Sequence, residues 1–321
     1  MCVPEFHKDI PPAAFYAIFL PLFVVGTAGN GLYMFVIARH QNMLTTTNKL
    51  IFSLCLADTI IIISSAVAPV LDNAANVPFS VCGLIQFLRE TAVGALVYTL
   101  VVLCGERYYS FAYPEDAQSI TPRVANFMAI AVWILAGFLA LGKFLSLDST
   151  CTRKGWMISS KELVSDYSIV GFVVIYFLPI FFTTMFYVLM GREFYLTNLP
   201  LESVEALRLM EAKKRLTRVV FALTSSFILF FAPYYTIRLL VYFDCQKLEN
   251  WTHFTAIILY LTNVYPCTNP VVLYVTSALC RKVVNQYLCN REQQSVVESE
   301  KTDSPKELEL PDEPRTRVTS L

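Results

Sequence analysis

Apolar residues run through this chain in seven long stretches, at about 13–38, 50–72, 82–104, 124–147, 167–190, 219–243 and 253–276, with short polar segments between them. Each is close to or above the roughly 20 residues that a helix needs to cross the hydrocarbon core of a bilayer. In lipid a helix satisfies its own backbone hydrogen bonds. Pro21, Pro69, Pro179, Pro233, Pro266 and Pro270 therefore predict kinks held by neighbouring helices, where in a soluble helix most would be breakers. The pattern predicts an all-α membrane protein whose residues 13–277 form a bundle of seven transmembrane helices.

The flanks read differently. Residues 1–12 are a short polar N-terminus with no cleavable signal peptide evident, so the first span is expected to serve as the anchor. Residues 278–290 mix apolar and basic positions, which predicts a short amphipathic eighth helix on the membrane surface. Residues 291–321 are rich in Glu, Asp, Lys, Ser, Thr and Pro, a composition that buries no core and predicts a disordered tail.

Charge orients the bundle. Arg39, Lys49, Arg123, Arg192 and the cluster Lys213, Lys214, Arg215 and Arg218 all fall on one side, which the excess of Lys and Arg on inner loops marks as cytoplasmic. The N-terminus is then outside, the C-terminus cytoplasmic, and a plasma-membrane, multi-pass protein is expected. Composition agrees, since 55% hydrophobic against 16% charged residues is more apolar surface than a soluble domain hides. With 25 basic residues against 25 acidic ones, overall charge gives no argument for a nucleic-acid partner. No internal repeat is visible, and no charges thread successive spans, which weighs against a transporter or channel.

Cys55, Cys104, Cys267 and Cys280 lie in or at the edge of apolar stretches, where a thiol behaves as a small hydrophobe. Cys2, Cys82, Cys151 and Cys245 fall on the oxidising outer face. Asn250-Trp251-Thr252 makes Asn250 a glycosylation candidate in the last outside loop.

Several short motifs then fall in order. Gly29-Asn30 lies in the first span and Leu56-Ala57-Asp58 in the second; Cys82 opens the third, which closes on Glu106-Arg107-Tyr108. Trp133 sits in the fourth, Pro179 and Tyr187 in the fifth, Phe227 and Pro233 in the sixth, Asn269-Pro270 in the seventh. In this order and spacing the chain resembles the rhodopsin-like, class A, G-protein-coupled receptors over roughly residues 13–290. The resemblance implies a receptor and not an enzyme, with no cofactor.

It also implies roles. Asp58, a carboxylate in mid-membrane, would form a polar hub with Asn30 and Asn269, which in the family can hold sodium; Leu96 stands where the family often has Ser, which argues against the ion here. Glu106 and Arg107, followed by Tyr108, would be paired at rest, with Arg107 freed toward the G protein on activation. Tyr187, Phe227, Phe231, Pro233, Pro270 and Tyr274 complete the expected activation switch. Cys82 and Cys151 would form a disulfide, while Cys2 and Cys245 stand as a second pair or as free thiols. Two departures are visible: Phe230-Phe231-Ala232-Pro233 replaces Cys-Trp-x-Pro, and Tyr274 comes one position late.

That late tyrosine, in Asn-Pro-x-x-Leu-Tyr, resembles the bombesin and endothelin receptors and invertebrate CCHamide receptors. The run from Cys82 to Gly94 and the run from Met210 to Arg218 are similar to the same branch. An extracellular peptide ligand and the phospholipase C and calcium route are implied. Asn263 stands where opsins carry the retinal lysine, and Arg89 where amine receptors carry an aspartate, so neither ligand is expected. Arg89, Glu90 and Arg238 would converge below the outer mouth, and in the endothelin branch a matching sixth-helix arginine holds the ligand's C-terminal carboxylate. The alternative is that Arg89 pairs with Glu90 or Asp72. Tyr234 and Tyr235, with Tyr242, Trp251 and Phe254, either line the peptide site or belong to an interfacial aromatic belt; Tyr98 is expected in the core.

On the inner side, Lys213 to Arg218 form a basic extension for G protein or lipid headgroups, which positive-inside topology explains equally. Lys213 offers no acid to Arg107, so no resting lock between the third and sixth helices is expected. Cys289 is placed for palmitoylation, and Ser295, Ser299, Thr302 and Ser304 for phosphorylation that arrestin would read. Thr319-Ser320-Leu321 matches a PDZ-domain ligand. The readings left beside the peptide receptor are a class A receptor for a non-peptide ligand, one with degenerate signalling, and a transporter.

Overall fold

The computed structural model of the chain describes residues 12–39, 44–73, 79–113, 122–146, 167–196, 204–243 and 252–276, with Arg281 and Asn285. Among them run seven long helices: α1 (Pro12–Arg39), α2 (Thr46–Asn73), α3 (Phe79–Ala112), α4 (Pro122–Ser146), α5, α6 (Val204–Phe243) and α7 (Thr252–Thr276). α5 is continuous but made of three pieces, Tyr167–Gly171, a π-helical turn Phe172–Phe177, and Leu178–Leu196. At about 1.5 Å per residue even the 25-residue α4 and α7 reach about 37 Å. Among the described residues, stretches in six of the helices, α1 to α6, are long and apolar enough to cross a membrane. The expected surface helix at 278–290 lies outside the described residues apart from Arg281 and Asn285.

α3 and α6 are longer than their apolar runs, at 34 and 40 residues, and both overshoot at the end that carries Arg107 and Lys213. The overshoot in α6 begins Val-Glu-Ala-Leu-Arg-Leu-Met-Glu-Ala-Lys-Lys-Arg, almost all strong helix formers, so the helix continues where lipid no longer demands apolar side chains. An apolar-run reading misses that extension because it sees only the part that needs lipid.

α3 is the central helix and packs on α2, α4, α5 and α6, while α7 closes the ring against α1, α2 and α6. Leu50, Leu54, Leu96, Leu100, Leu103, Leu223 and Leu273 are fully buried along this axis, whereas Phe127, Phe138, Leu229 and Val275 point outward. Lipid is as apolar as leucine, so close packing rather than apolar burial must hold such helices together. Glycine supplies it: a Cβ on Gly29 would stand 2.7 Å from Pro270 Cβ, and one on Gly26 2.6 Å from Cys267 Sγ. These two positions let α1 lie directly on α7.

The π turn in α5 has a local cause. Pro179 has no N–H to give, and its ring crowds the preceding turn. The turn before it widens, and Leu178 N–H bonds Val173 O instead of Val174 O. In that register the donor for Val174 O would be Pro179, which has none. The Tyr98 hydroxyl of α3 donates to this stranded carbonyl at 2.9 Å. Tyr98, expected as plain core, is thus the strut that completes α5.

Candidate functional site

Polar side chains inside the bundle gather at three depths along α3. At mid-depth, Asp58 of α2 and Asn269 of α7 are wholly buried, and Asn269 Nδ2 donates to Asp58 Oδ2 at 2.7 Å. Asn30 of α1 is also buried, and its Nδ2 donates to the carbonyls of Gly26 and Pro266, each at 3.0 Å. Pro266 O is the carbonyl that Pro270, lacking an N–H, leaves open four residues on, so Asn30 closes the gap in α7. The three hub residues are brought together, with Asn30 joined through the α7 backbone. Asn30 Oδ1 and Asp58 Oδ1 make no hydrogen bond to another described residue, and the Tyr265 hydroxyl sits against Asn269.

Above this hub stands a column of aromatic rings. Tyr176 of α5 stacks on Tyr235 of α6 at 4.7 Å between centroids and meets Phe227 at 6.1 Å. Phe227 lies 4.8 Å from Phe231, and both meet Tyr265 of α7 edge-on, at 5.9 and 5.4 Å. Tyr235, a candidate ligand contact, is buried in this column, and Tyr234 packs edge-on against it at 5.0 Å.

At one end of α3, Glu106 and Arg107 are buried and paired. Adjacent residues diverge by about 100° around a helix, so the pair exists because both side chains curl toward Thr47 of α2. Arg107 Nε donates to Glu106 Oε2 at 2.5 Å and Nη2 to Thr47 Oγ1 at 2.6 Å; the threonine hydroxyl in turn donates to Glu106 at 3.3 Å. Tyr108 stacks on Phe186 of α5 at 6.0 Å. Tyr187 is held between helices, its hydroxyl accepting from Cys104 Sγ at 3.5 Å and its ring edge-on to Phe221 of α6 at 5.3 Å.

The absence of an α3–α6 tie, expected from sequence, is corrected here. Lys213 Nζ donates to Ser110 O at 2.6 Å and sits 5.9 Å over the Phe111 ring. Ser110 is in the last turn of α3, where carbonyls run out of helical donors and the dipole attracts a cation. No acid is needed, because the acceptor is backbone.

At the other end of α3, Arg89 Nη2 reaches Asn263 Oδ1 of α7 at 3.5 Å, and Ser65 Oγ of α2 donates to the same oxygen at 2.9 Å. Arg89 Nε is buried with no hydrogen-bond partner among the described residues. Glu90 accepts from Gln86 Nε2 at 3.1 Å.

Residues 29–274 match the family described as 7 transmembrane receptor (rhodopsin family). The chain belongs to it. The receptor is 28% identical over 299 residues to the neuropeptide CCHamide-1 receptor of Drosophila melanogaster, covering 84% of this chain and 59% of that protein. It is 26% identical over 287 residues to bombesin receptor subtype-3 of Ovis aries, covering 81% and 71%, and 26% identical over 289 residues to galanin receptor 2a of Danio rerio, covering 86% and 78%. The receptor thus spans about three fifths of the fly protein's length. It is a class A receptor, a multi-pass plasma-membrane protein and not an enzyme.

Within the receptor, Pro233 lies inside α6 and Pro270 inside α7. Tyr274 faces outward, and its hydroxyl donates to Asn285 Oδ1 at 3.0 Å, away from the hub. Cys82 falls on α3 and Arg238 on α6, but their side chains lie outside the described residues, as do Cys151, Asn250, Cys289 and Thr319 to Leu321. Sequence reasoning missed Thr47, Ser65 and Tyr265. Tyr265 had a signal, since it lies one helical turn before Asn269 on the same face of α7; Thr47 had none.

Proposed function

We propose that this receptor binds an extracellular peptide at the Arg89 end and passes the signal to a heterotrimeric G protein at the Arg107 end. The observation that carries this reading is the polarity of α3: an arginine with an unpartnered Nε near one end, and an arginine locked to Glu106 and Thr47 near the other. All three relatives are named as receptors, for CCHamide-1, bombesin and galanin. Orientation follows from charge: Arg39, Lys49, Arg123, Arg192 and Lys213 to Arg218 sit where α1, α3 and α5 end and α2, α4 and α6 begin, the end that faces the cytoplasm.

In this reading Arg89, aided by Glu90 and Arg238, receives the peptide's C-terminal carboxylate by charge-assisted hydrogen bonds. Tyr234 borders the site, and Tyr235 lies beneath it as the top of the aromatic column. Signalling swings α6 outward about Pro233, which breaks Lys213 from Ser110, and frees Arg107 from Glu106. The route onward is phospholipase C and calcium, with arrestin reading the phosphorylated tail, the Cys82–Cys151 disulfide holding the outer mouth, Cys289 palmitoylated, Asn250 glycosylated and Thr319 to Leu321 offered to a PDZ domain.

The test is calcium release and G-protein dissociation in cells expressing the receptor, challenged with fractionated peptide extract and its C-terminally amidated counterpart, with Arg107→Ala as control. A response to the free acid that is lost in Arg107→Ala supports the reading. Equal potency of the amidated peptide removes the carboxylate anchor, and silence from every fraction despite surface expression removes the peptide.

A further inference from the structure

Arg89 and Arg107 lie towards opposite ends of α3, and the same edge of each guanidinium is answered differently. That edge carries the Nε–H and one Nη2–H side by side, a rigid fork whose spacing matches the two oxygens of a carboxylate. In Arg107 the match is made: Nε donates to Glu106 Oε2 and Nη2 to Glu106 Oε1. In Arg89 it is half made. Nη2 reaches Asn263 Oδ1 at 3.5 Å, past the usual limit of about 3.2 Å for such a bond, and the buried Nε has no hydrogen-bond partner among the described residues.

The asparagine cannot close the fork. Ser65 Oγ donates to the same Oδ1 at 2.9 Å, which ties the amide towards α2. An amide also has one oxygen where the fork has room for two, and it carries no charge to offset the buried part of a cation. The removal of Arg89 Nε from solvent is therefore a cost that the fold already bears. A carboxylate entering the fork adds two short charge-assisted bonds against little more than its own desolvation.

We propose that Asn263 is a positioning residue that sets the ligand's end group: with Ser65 it presents Arg89 as a half-filled fork, which an incoming carboxylate completes on Nε and Nη2 while Asn263 Oδ1 stays with Ser65. The inference deepens the peptide reading above and rests on it for the ligand, whereas the fork itself can be tested without one. A neutral side chain at 263 is what keeps Arg89 available. An acid there would fill the fork from within, as Glu106 fills that of Arg107, and would shut a ligand's carboxylate out.

Asn263→Asp supplies that acid with almost no change of shape. The full chain in lipid nanodiscs is unfolded by heat, with reaction of the buried thiols Cys55, Cys104 and Cys267 reporting the midpoint, for wild type, Asn263→Asp, Arg89→Gln and the double variant. Asn263→Asp is expected to raise the midpoint by roughly 2–6 °C, and the double variant, with a buried carboxylate and no cation, to fall below Arg89→Gln. An unchanged or lower midpoint in Asn263→Asp, or an equal shift in both arginine backgrounds, overturns the proposal.

The second readout is calcium release by an active peptide fraction before and after its carboxyl groups are amidated. Asn263→Asp is expected to lower the potency of the free acid about thirtyfold or more and that of the amidated form less than about threefold. A merely structural fault lowers both alike, and that result overturns the assignment. Silence from every fraction, or equal potency of acid and amide on the wild type, removes the peptide-carboxylate reading instead, and the midpoints then decide whether the fork takes a carboxylate.

Discussion

At the Arg107 end of α3 the buried charges are mutually satisfied: guanidinium, carboxylate and the Thr47 hydroxyl close a small ring of hydrogen bonds, and Lys213 covers the Ser110 carbonyl. At the hub, one Asp58 oxygen is bonded to Asn269 while the other, together with Asn30 Oδ1, makes no hydrogen bond to another described residue. Both regions are buried and both are polar. The first holds a resting geometry by bonds that must be broken to leave it; the second keeps acceptor capacity that no described side chain uses. The bundle thus places a closed polar cluster at the Arg107 end of α3 and an open one at mid-depth.

The comparison can be broken most decisively at Glu106. Glu106→Gln leaves Arg107 buried without its counter-charge, at a cost on the order of 3–5 kcal/mol. The expected results are a sharply lower unfolding midpoint in detergent and higher ligand-independent G-protein dissociation. An unchanged midpoint would mean the pair is not a restraint.

Next in size is Tyr98→Phe, which strands the Val174 carbonyl inside α5. A buried acceptor left unpaired costs roughly 1–3 kcal/mol, so the midpoint should fall by several degrees while ligand-independent signalling stays at the wild-type level. A rise in signalling would place the α5 turn in the switch itself.

Lys213→Met removes a charged hydrogen bond at the half-buried α3–α6 tie, worth about 1 kcal/mol after solvent screening. Basal G-protein dissociation should rise about fivefold, and Lys213→Arg should restore most of the restraint. Equal behaviour of Met and Arg variants would assign the tie no role.

The smallest effect is expected at the hub. Asp58→Asn replaces a carboxylate half of whose acceptors are unpaired with a neutral group of the same shape, and its midpoint should match wild type within about 1 kcal/mol or exceed it. A loss as large as that of Glu106→Gln would erase the distinction between the two regions.

Much of the architecture was legible in the sequence because lipid imposes it: seven apolar runs of sufficient length leave few alternatives, and the hub residues Asn30, Asp58 and Asn269 stand out as polar groups where polar groups are expensive. What was not legible involves backbone atoms or ordinary residues in special places. The Ser110 carbonyl that Lys213 grips has no letter in the sequence, which shows only that position 213 offers no acid to Arg107. Val174 O is stranded by a proline five residues later, which needs the π register to be seen. Tyr265 reads as one more aromatic of the seventh helix until its hydroxyl is found beside Asp58.

The length of α6 has a mechanical consequence. Lys213 lies 20 residues before Pro233 in one unbroken helix of 40 residues, which places it about 30 Å from that bend. A rod of that length multiplies angle into displacement: a change of roughly 2° at the proline moves the lysine by about 1 Å, enough to stretch a 2.6 Å hydrogen bond past its useful range. The tie to Ser110 therefore tolerates almost no bending before it lets go, and the inner end of this receptor should release like a tripped catch, with little travel between held and free.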